Sequence, residues 1–365
     1  MKLNFMGDLV IQNSDNIRIG ENLKDCLDKS NYNIVNFEAP IKQKKNIPEP
    51  KSGPNICQSA DNQSWLSQNN FQILAMANNH IMDYGTQGLE NTLSCLKNYK
   101  HIGVGNWEEA YSPLIIEEGN LKVALFSMAE LQFGILQDED DRDKQGCAWI
   151  NHASVNEIIR QIKKEVDFVV MIAHAGLEGI ELPLPEWRSR YRELIDAGCD
   201  VIIGGHTHIA QGYEVYKGKP IFYSLGNFCF EKDKPAKDSK WNIGEVVSIE
   251  FTKTTLSFVV SGTTFQNNTI ELMDKATWGT YLNQLNEKLS VDYMDQINQI
   301  CNRMMDGYNN LFSMGGYIHI DRMLIKSILR YLLGRCNALH ALNNLQCESH
   351  RWTICRAIRN QKGLI

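Results

Sequence analysis

The chain has 365 residues, 43% of them hydrophobic and 22% charged, ordinary for a globular protein and long enough for one large domain plus a smaller one. Its net charge of −6 excludes a general nucleic-acid binder, and no apolar stretch reaches the roughly 18 residues of a membrane span. The first residues enter a strand-like segment with no charged and apolar leader, and the ten cysteines form no C-x-x-C pair, so reduced thiols and a cytoplasmic location are expected.

Leu3 to Met6 reads as a strand whose end carries Gly7-Asp8, and Ile34 to Phe37 as a second that ends in Glu38. Ile41 to Pro54 holds Lys42, Lys44, Lys45 and Lys51 among prolines, which makes a basic loop. Phe71 to Met76 is a third strand, followed by Ala77-Asn78-Asn79-His80. A helix is expected from Thr86, as N-cap, to Tyr99, with Leu89, Leu93 and Leu96 on one face. Strands within Pro113 to Met128 flank Glu118-Gly119-Asn120 as a hairpin, and the acidic run Asp138 to Asp143 reads as an exposed loop. A helix over 154–165 leads into the strand Asp167 to Ala173 and then His174-Ala175-Gly176. A helix over 186–197 leads into Val201-Ile202-Ile203-Gly204, which runs on into Gly205-His206-Thr207-His208. Glu245 to Thr264 alternates β-branched and polar residues, as antiparallel strands do.

Strand–helix alternation of this kind reads as α/β, and the texture changes near residue 266. Helices are expected over 277–289, 291–305, 321–333 and 341–358, with apolar stripes at Val291, Met294, Ile297, Cys301 and Met304 and at Ile325, Leu329 and Leu332. The expected division is therefore a domain over 1–265 and a helical region over 266–365. The latter carries 11 Lys and Arg against 8 Asp and Glu. Its stripes call for packing on the first domain, on a second copy or on a partner, because an isolated amphipathic helix is marginal in water.

The chemistry sits where strands end. Asp8, Glu38, Asn79-His80, His174 and His206-x-His208 each follow an expected strand, and open α/β sheets bind ligands at the carboxyl ends of their strands. Singly, each suits a turn, a cap or an interior histidine; together they make one mixed nitrogen and oxygen shell. That shell suits Mn²⁺, Zn²⁺ or Fe better than Ca²⁺, and it has too many donors for one tetrahedral ion. Two ions sharing a carboxylate are the arrangement that clamps displacement at phosphorus.

Gly7-Asp8, Asn36-Phe37-Glu38-Ala39-Pro40, Asn78-Asn79-His80-x-x-Asp83-Tyr84-Gly85, His174-x-Gly176-x-Glu178, Gly205-His206-Thr207-His208 and Ser224-Leu225-Gly226-Asn227-Phe228 come in the order found in CapA-type proteins. These poly-γ-glutamate capsule synthesis proteins are relatives of the calcineurin-like metallophosphoesterases, and the chain resembles them over about residues 3 to 230. The resemblance implies a four-layer α/β/β/α metallophosphoesterase sandwich with a C-terminal helical appendage. It also implies two divalent ions, Mn²⁺ first and Zn²⁺ or Fe as alternatives. Asp8 and His208 would bind one ion, Asn79, His174 and His206 the other, and Glu38 would bridge. His80, backed by Asp83, would act at the leaving group, with Asn36, Glu178 and Asn227 at the substrate.

The chain departs from the pattern at Val10, where the phosphoesterase motif has a ligand His, at Ala175, where the family often has Trp, and at Thr207, where it often has Pro. Val10 leaves the first ion one ligand short, and Ala175 is expected to open space beside the site. The implied function is a cytoplasmic metal-dependent phosphoesterase of capsule or other surface-polysaccharide synthesis, acting on a phosphorylated small molecule or glycan intermediate. An amide hydrolase or transferase on a γ-glutamyl polymer, and a non-catalytic assembly subunit, are the alternatives.

Overall fold

A computed structural model describes residues 1–43, 45–138, 143–231, 239–312 and 338–364. The chain forms two compact units, Met1–Glu49 with Asn55–Val291, and Pro50–Pro54 with Asp292–Ile365.

The first unit is built on two sheets. The nine-stranded sheet runs Arg18–Ile19, Thr269–Leu272, Leu256–Gln266, Ile243–Phe251, Lys2–Val10, Tyr32–Phe37, Ile73–Ala75, Lys100–Ile102. Its ninth strand, Asn227–Phe230, also pairs with Lys2–Val10. The six-stranded sheet runs Tyr213–Tyr216, Lys219–Phe222, Val201–Gly205, Phe168–His174, Leu121–Ala129, Leu114–Glu118. Period-two alternation gives each strand two apolar faces. Leu3, Phe5 and Ile34 meet Val123, Val170 and Ile203 between the sheets. Val35, Phe37 and Leu74 face outward onto Leu23, Leu27, Trp65 and Leu89 of the helices Glu21–Asp28, Asn62–Gln68 and Gly85–Cys95. On the far side the helices Val155–Lys163 and Pro185–Ala197 bury Ile159, Trp187, Tyr191 and Leu194. Proline at the start of Pro185–Ala197 and Gly198 at φ 133° after it mark that helix's ends. The result is a four-layer α/β/β/α sandwich.

Lys2–Val10 divides one of its edges between two partners. Lys2 to Met6 pair antiparallel with Glu250 to Val246, and Asp8 to Val10 pair parallel with Asn227 to Phe230. The handover falls at Gly7, where a Cβ would lie 1.9 Å from the Gly226 carbonyl oxygen. Gly7→Ala is therefore expected to lose about 1–3 kcal/mol or more, since backbone has to move to admit a methyl group. Gly279→Ala, at a helical position with nothing within 4 Å of the new Cβ, should instead gain about 0.5–1 kcal/mol. Urea unfolding of the two variants, read against the parent, checks the opposite signs.

The expected edge near residue 265 falls inside this unit, because Leu256–Gln266 pairs onward with Thr269–Leu272 and Trp278 of the helix Lys275–Lys288 packs over Gly262. The helix expected to be capped by Thr86 begins at Gly85, with Tyr84 in the cap position.

In the second unit the helices Tyr293–Phe312, Ala338–Gln346 and Glu348–Gln361 pack together. The stripe that is buried is Ile297, Cys301, Met305 and Tyr308, while Val291 precedes the helix and Met294 is 44% exposed. The segment expected as one helix over 341–358 divides at Cys347, the N-cap of Glu348–Gln361. The expected helix 321–333, its stripe, Lys44 and residues 139–142 of the acidic run lie outside the described residues. Among the described residues no helix is long and apolar enough to cross a membrane.

Candidate metal centre

Both sheets deliver side chains to one edge of the sandwich. From the nine-stranded sheet come Asp8, near the end of Lys2–Val10, Glu38, directly after Tyr32–Phe37, and Asn79, four residues past Ile73–Ala75. From the six-stranded sheet come His174, the last residue of its strand, and His206 and His208, just past Val201–Gly205. All six are buried. The backbone bends sharply to achieve this: Ala39 has φ 125°, His206 80° and His208 59°, values that cost a non-glycine residue about 1–3 kcal/mol each. Thr207, in the place where the family often has Pro, holds the bend by donating its hydroxyl to the Ile209 carbonyl at 2.8 Å.

Asp8, Glu38 and His208 offer donor atoms that all lie within 4.8 Å of one another. His208 Nδ1 is 3.2 Å from Asp8 Oδ2, and its Nε2 is 3.8 Å from Glu38 Oε1. A second group surrounds His174 Nε2, with Asn79 Oδ1 at 3.0 Å, His206 Nδ1 at 3.1 Å and the same Glu38 Oε1 at 3.8 Å. Glu38 Oε1 thus belongs to both groups. It and Asp8 Oδ2 are buried without a hydrogen-bond partner among the described residues. Two such carboxylate oxygens in a dry pocket are a large cost unless a cation meets them, so the residues present fit a divalent ion.

The electrostatics agree. Burial, and then the charge of Asp8, push the Glu38 carboxyl well above the usual carboxylate range. Burial, with help from neighbouring imidazoles, holds His174 and His206 well below the ordinary histidine value and so keeps them neutral, the form that ligates metals. Burial opposes charge on His208, but the Asp8 carboxylate beside it outweighs that and raises the ring.

The other expected residues gather around this core. Asn36 donates to Asp8 Oδ1 at 2.7 Å and to Glu38 Oε2 at 3.4 Å, and its Nδ2 lies 3.1 Å from His174 Nδ1. Asn227, the first residue of its strand, meets His208 Nδ1 through Oδ1 at 3.0 Å and donates to the His208 and Trp241 carbonyls. The structure thus places both amides, expected at the substrate, against donor residues, where they fix orientation. Glu178 is exposed, and its charge reaches Glu38, His206 and His208. His80 Nδ1 lies 2.8 Å from Asp83 Oδ2, which also accepts the Ile56 amide at 2.7 Å. Val10 is fully buried at the position of the missing ligand. Ala175 is 2% exposed, and the Tyr191 hydroxyl donates to its carbonyl at 3.5 Å.

Sequence reasoning missed three residues. Glu130 and Gln132 both approach His206 Nε2, at 3.3 and 3.1 Å. Trp241, on the short helix Ser239–Asn242, lays its indole 4.5 Å from the His208 ring. Glu130 carried the same signal as Glu38, a carboxylate directly after an apolar strand. Nothing periodic marks Trp241.

The chain is 32% identical over 209 residues to "PGA biosynthesis protein CapA" of Bacillus subtilis, covering 56% of this chain and 54% of that protein. It is 28% identical over 219 residues to "Capsule biosynthesis protein CapA" of Bacillus anthracis, covering 56% and 52%. The chain thus spans about half the length of these curated relatives. A solved structure of a hypothetical protein from Thermus thermophilus superposes with a TM-score of 0.44 at 14% identity, over 72% of this chain and 99% of that one. The family model described as "Bacterial capsule synthesis protein PGA_cap" matches residues 2–232. That match takes in every donor residue of the edge site, and the chain belongs to this family of bacterial capsule synthesis proteins.

Proposed function

We propose that the chain is a metal-dependent phosphoesterase of capsule or other surface-polymer synthesis, working in the cytoplasm on a phosphorylated small molecule or glycan intermediate. The observation that carries this reading is the pair of buried, unpartnered oxygens, Asp8 Oδ2 and Glu38 Oε1, facing ring nitrogens of His174 and His208. The nine described cysteines are free thiols, in keeping with a reducing compartment.

Divalent ions bound at this edge, Mn²⁺ foremost and two in number, would supply positive charge for a phosphoryl group and would acidify an attacking water. The side chains do the rest. Asp8 and His208 would hold one ion, Asn79, His174 and His206 the other, and Glu38 is placed to serve both. Asn36 and Asn227 keep Asp8 and His208 from turning away. Asp83 fixes the His80 ring through Nδ1, and that ring would pass a proton to the leaving oxygen.

The group around His174 Nε2 is the tighter site, because Val10 leaves the Asp8 side short of a ligand. Elemental analysis after Mn²⁺ loading should find up to two ions per chain and turnover of a generic phosphomonoester or phosphodiester. Asp8→Asn should lose the weaker ion and the turnover. Absence of any bound ion after loading with Mn²⁺ or Zn²⁺ defeats the reading. Bound ions with cleavage of γ-glutamyl amides and none of esters turn it to the amide hydrolase.

A further inference from the structure

We propose that Glu130 is a positioning residue that sets the tautomer of His206 and so presents Nδ1 of that ring to the centre. The inference rests on the metal reading above for its purpose, but its geometry stands without an ion.

Glu130 directly follows Leu121–Ala129, a strand paired in parallel with Phe168–His174 so that Ala129 lies opposite His174. Its backbone amide donates to the His174 carbonyl at 3.1 Å, which locks the residue to the end of a ligand strand. The side chain is 2% exposed, and Oε1 accepts the Gly176 amide at 3.0 Å while lying 3.3 Å from His206 Nε2. A carboxylate that meets one imidazole nitrogen requires a proton on that nitrogen. The neutral ring then carries its lone pair on Nδ1, the atom 3.1 Å from His174 Nε2. Gln132 Nε2 also lies 3.1 Å from His206 Nε2 and is a donor as placed, so a proton on that ring nitrogen requires the Gln132 amide to turn and present its oxygen instead. Turning the ring over would place C–H groups against both Glu130 and His174 and lose both contacts. The Gly176 anchor matters because it leaves the carboxylate one orientation. That glycine has φ 143°, and a Cβ on it would meet Thr207 at 2.6 Å. One buried carboxylate therefore couples three points: the His174 strand end, the turn at Gly176 and the His206 ring. Carboxylates behind ligating histidines typically change metal affinity by about 10–100-fold.

Long-range ¹H–¹⁵N correlation spectra of the metal-free full chain read the tautomer directly. In the parent, His206 should show a protonated Nε2 and an unprotonated Nδ1. Glu130→Ala should mix the two tautomers and weaken Mn²⁺ binding, followed by calorimetry, by about 10–100-fold. Glu130→Gln, whose amide oxygen accepts the same proton, should restore most of both. A parent ring protonated on Nδ1 overturns the proposal without any variant, even if Glu130→Ala fails to fold. Unchanged tautomer and unchanged affinity in a folded Glu130→Ala overturn it too. A parent that binds no ion defeats the phosphoesterase reading, while the tautomer of the metal-free ring still decides the role of Glu130.

Discussion

His80→Asn should lower kcat on the true substrate by about 10²–10⁴-fold, the span that a positioned general acid contributes, while ion content stays at the parent value. The reason is the division of labour between neighbours. Asn79 turns its Oδ1 to within 3.0 Å of His174 Nε2, inside the donor group. His80 instead pairs with Asp83 at 2.8 Å and stays close enough for its charge to depress His174. Its amide donates to Asn78 Oδ1, so the turn that separates the two directions is itself hydrogen-bonded. Asparagine keeps a polar side chain at the position but cannot move a proton. His206→Asn is the contrast, since it removes a donor nitrogen and should lose an ion and activity together. Ion loss in His80→Asn, or an unchanged kcat, would sink the assignment.

Glu38→Gln should weaken metal binding by more than about 100-fold, because outer-shell partners alone are worth about 10–100-fold and Glu38 Oε1 is shared by both donor groups. The metal-free protein should respond in the other direction. Glu38 is fully buried, and burial and the Asp8 charge oppose its ionisation. A neutral amide of the same shape removes that repulsion, so the melting temperature in chelator should hold or rise. Melting curves with and without Mn²⁺ separate the two effects. A variant that keeps the metal-dependent rise in melting temperature would show that Glu38 is not a shared ligand.

The residues that gather at this edge were legible in the sequence because each lies at the end of a short apolar strand or within a few residues of it, and parallel strands bring such ends together. That logic reached Asp8, Glu38, Asn79, His174, His206 and His208 without knowing how far apart the sheets lie. It passed over Glu130 because Leu121–Ala129 looked like one arm of a hairpin. The strand does form that hairpin with Leu114–Glu118, but its other edge pairs in parallel with Phe168–His174 and carries Glu130 to the site. The handover at Gly7 was invisible for a related reason, since a close approach between Gly7 and Gly226 is a tertiary fact with no local pattern. The stripe at Ile297 and Cys301 was found, yet Met294 lies outside it, because periodicity gives an angle and not the width of the buried face. Asp83 was open between a cap and a partner for His80. The cap position belongs to Tyr84, and Asp83 meets the ring.

The two leaves of the sandwich each contribute half of the donors. Asp8, Glu38 and Asn79 ride on one, and His174, His206 and His208 on the other. An ion bound there would also pin the two leaves to each other at that edge, where polar groups take the place of the apolar filling. Its mechanical value grows with occupancy, about 2.7 kcal/mol once the ion stands at a hundred times its dissociation constant. The same residues would then govern both how fast the protein works and how long it lasts when metal is scarce.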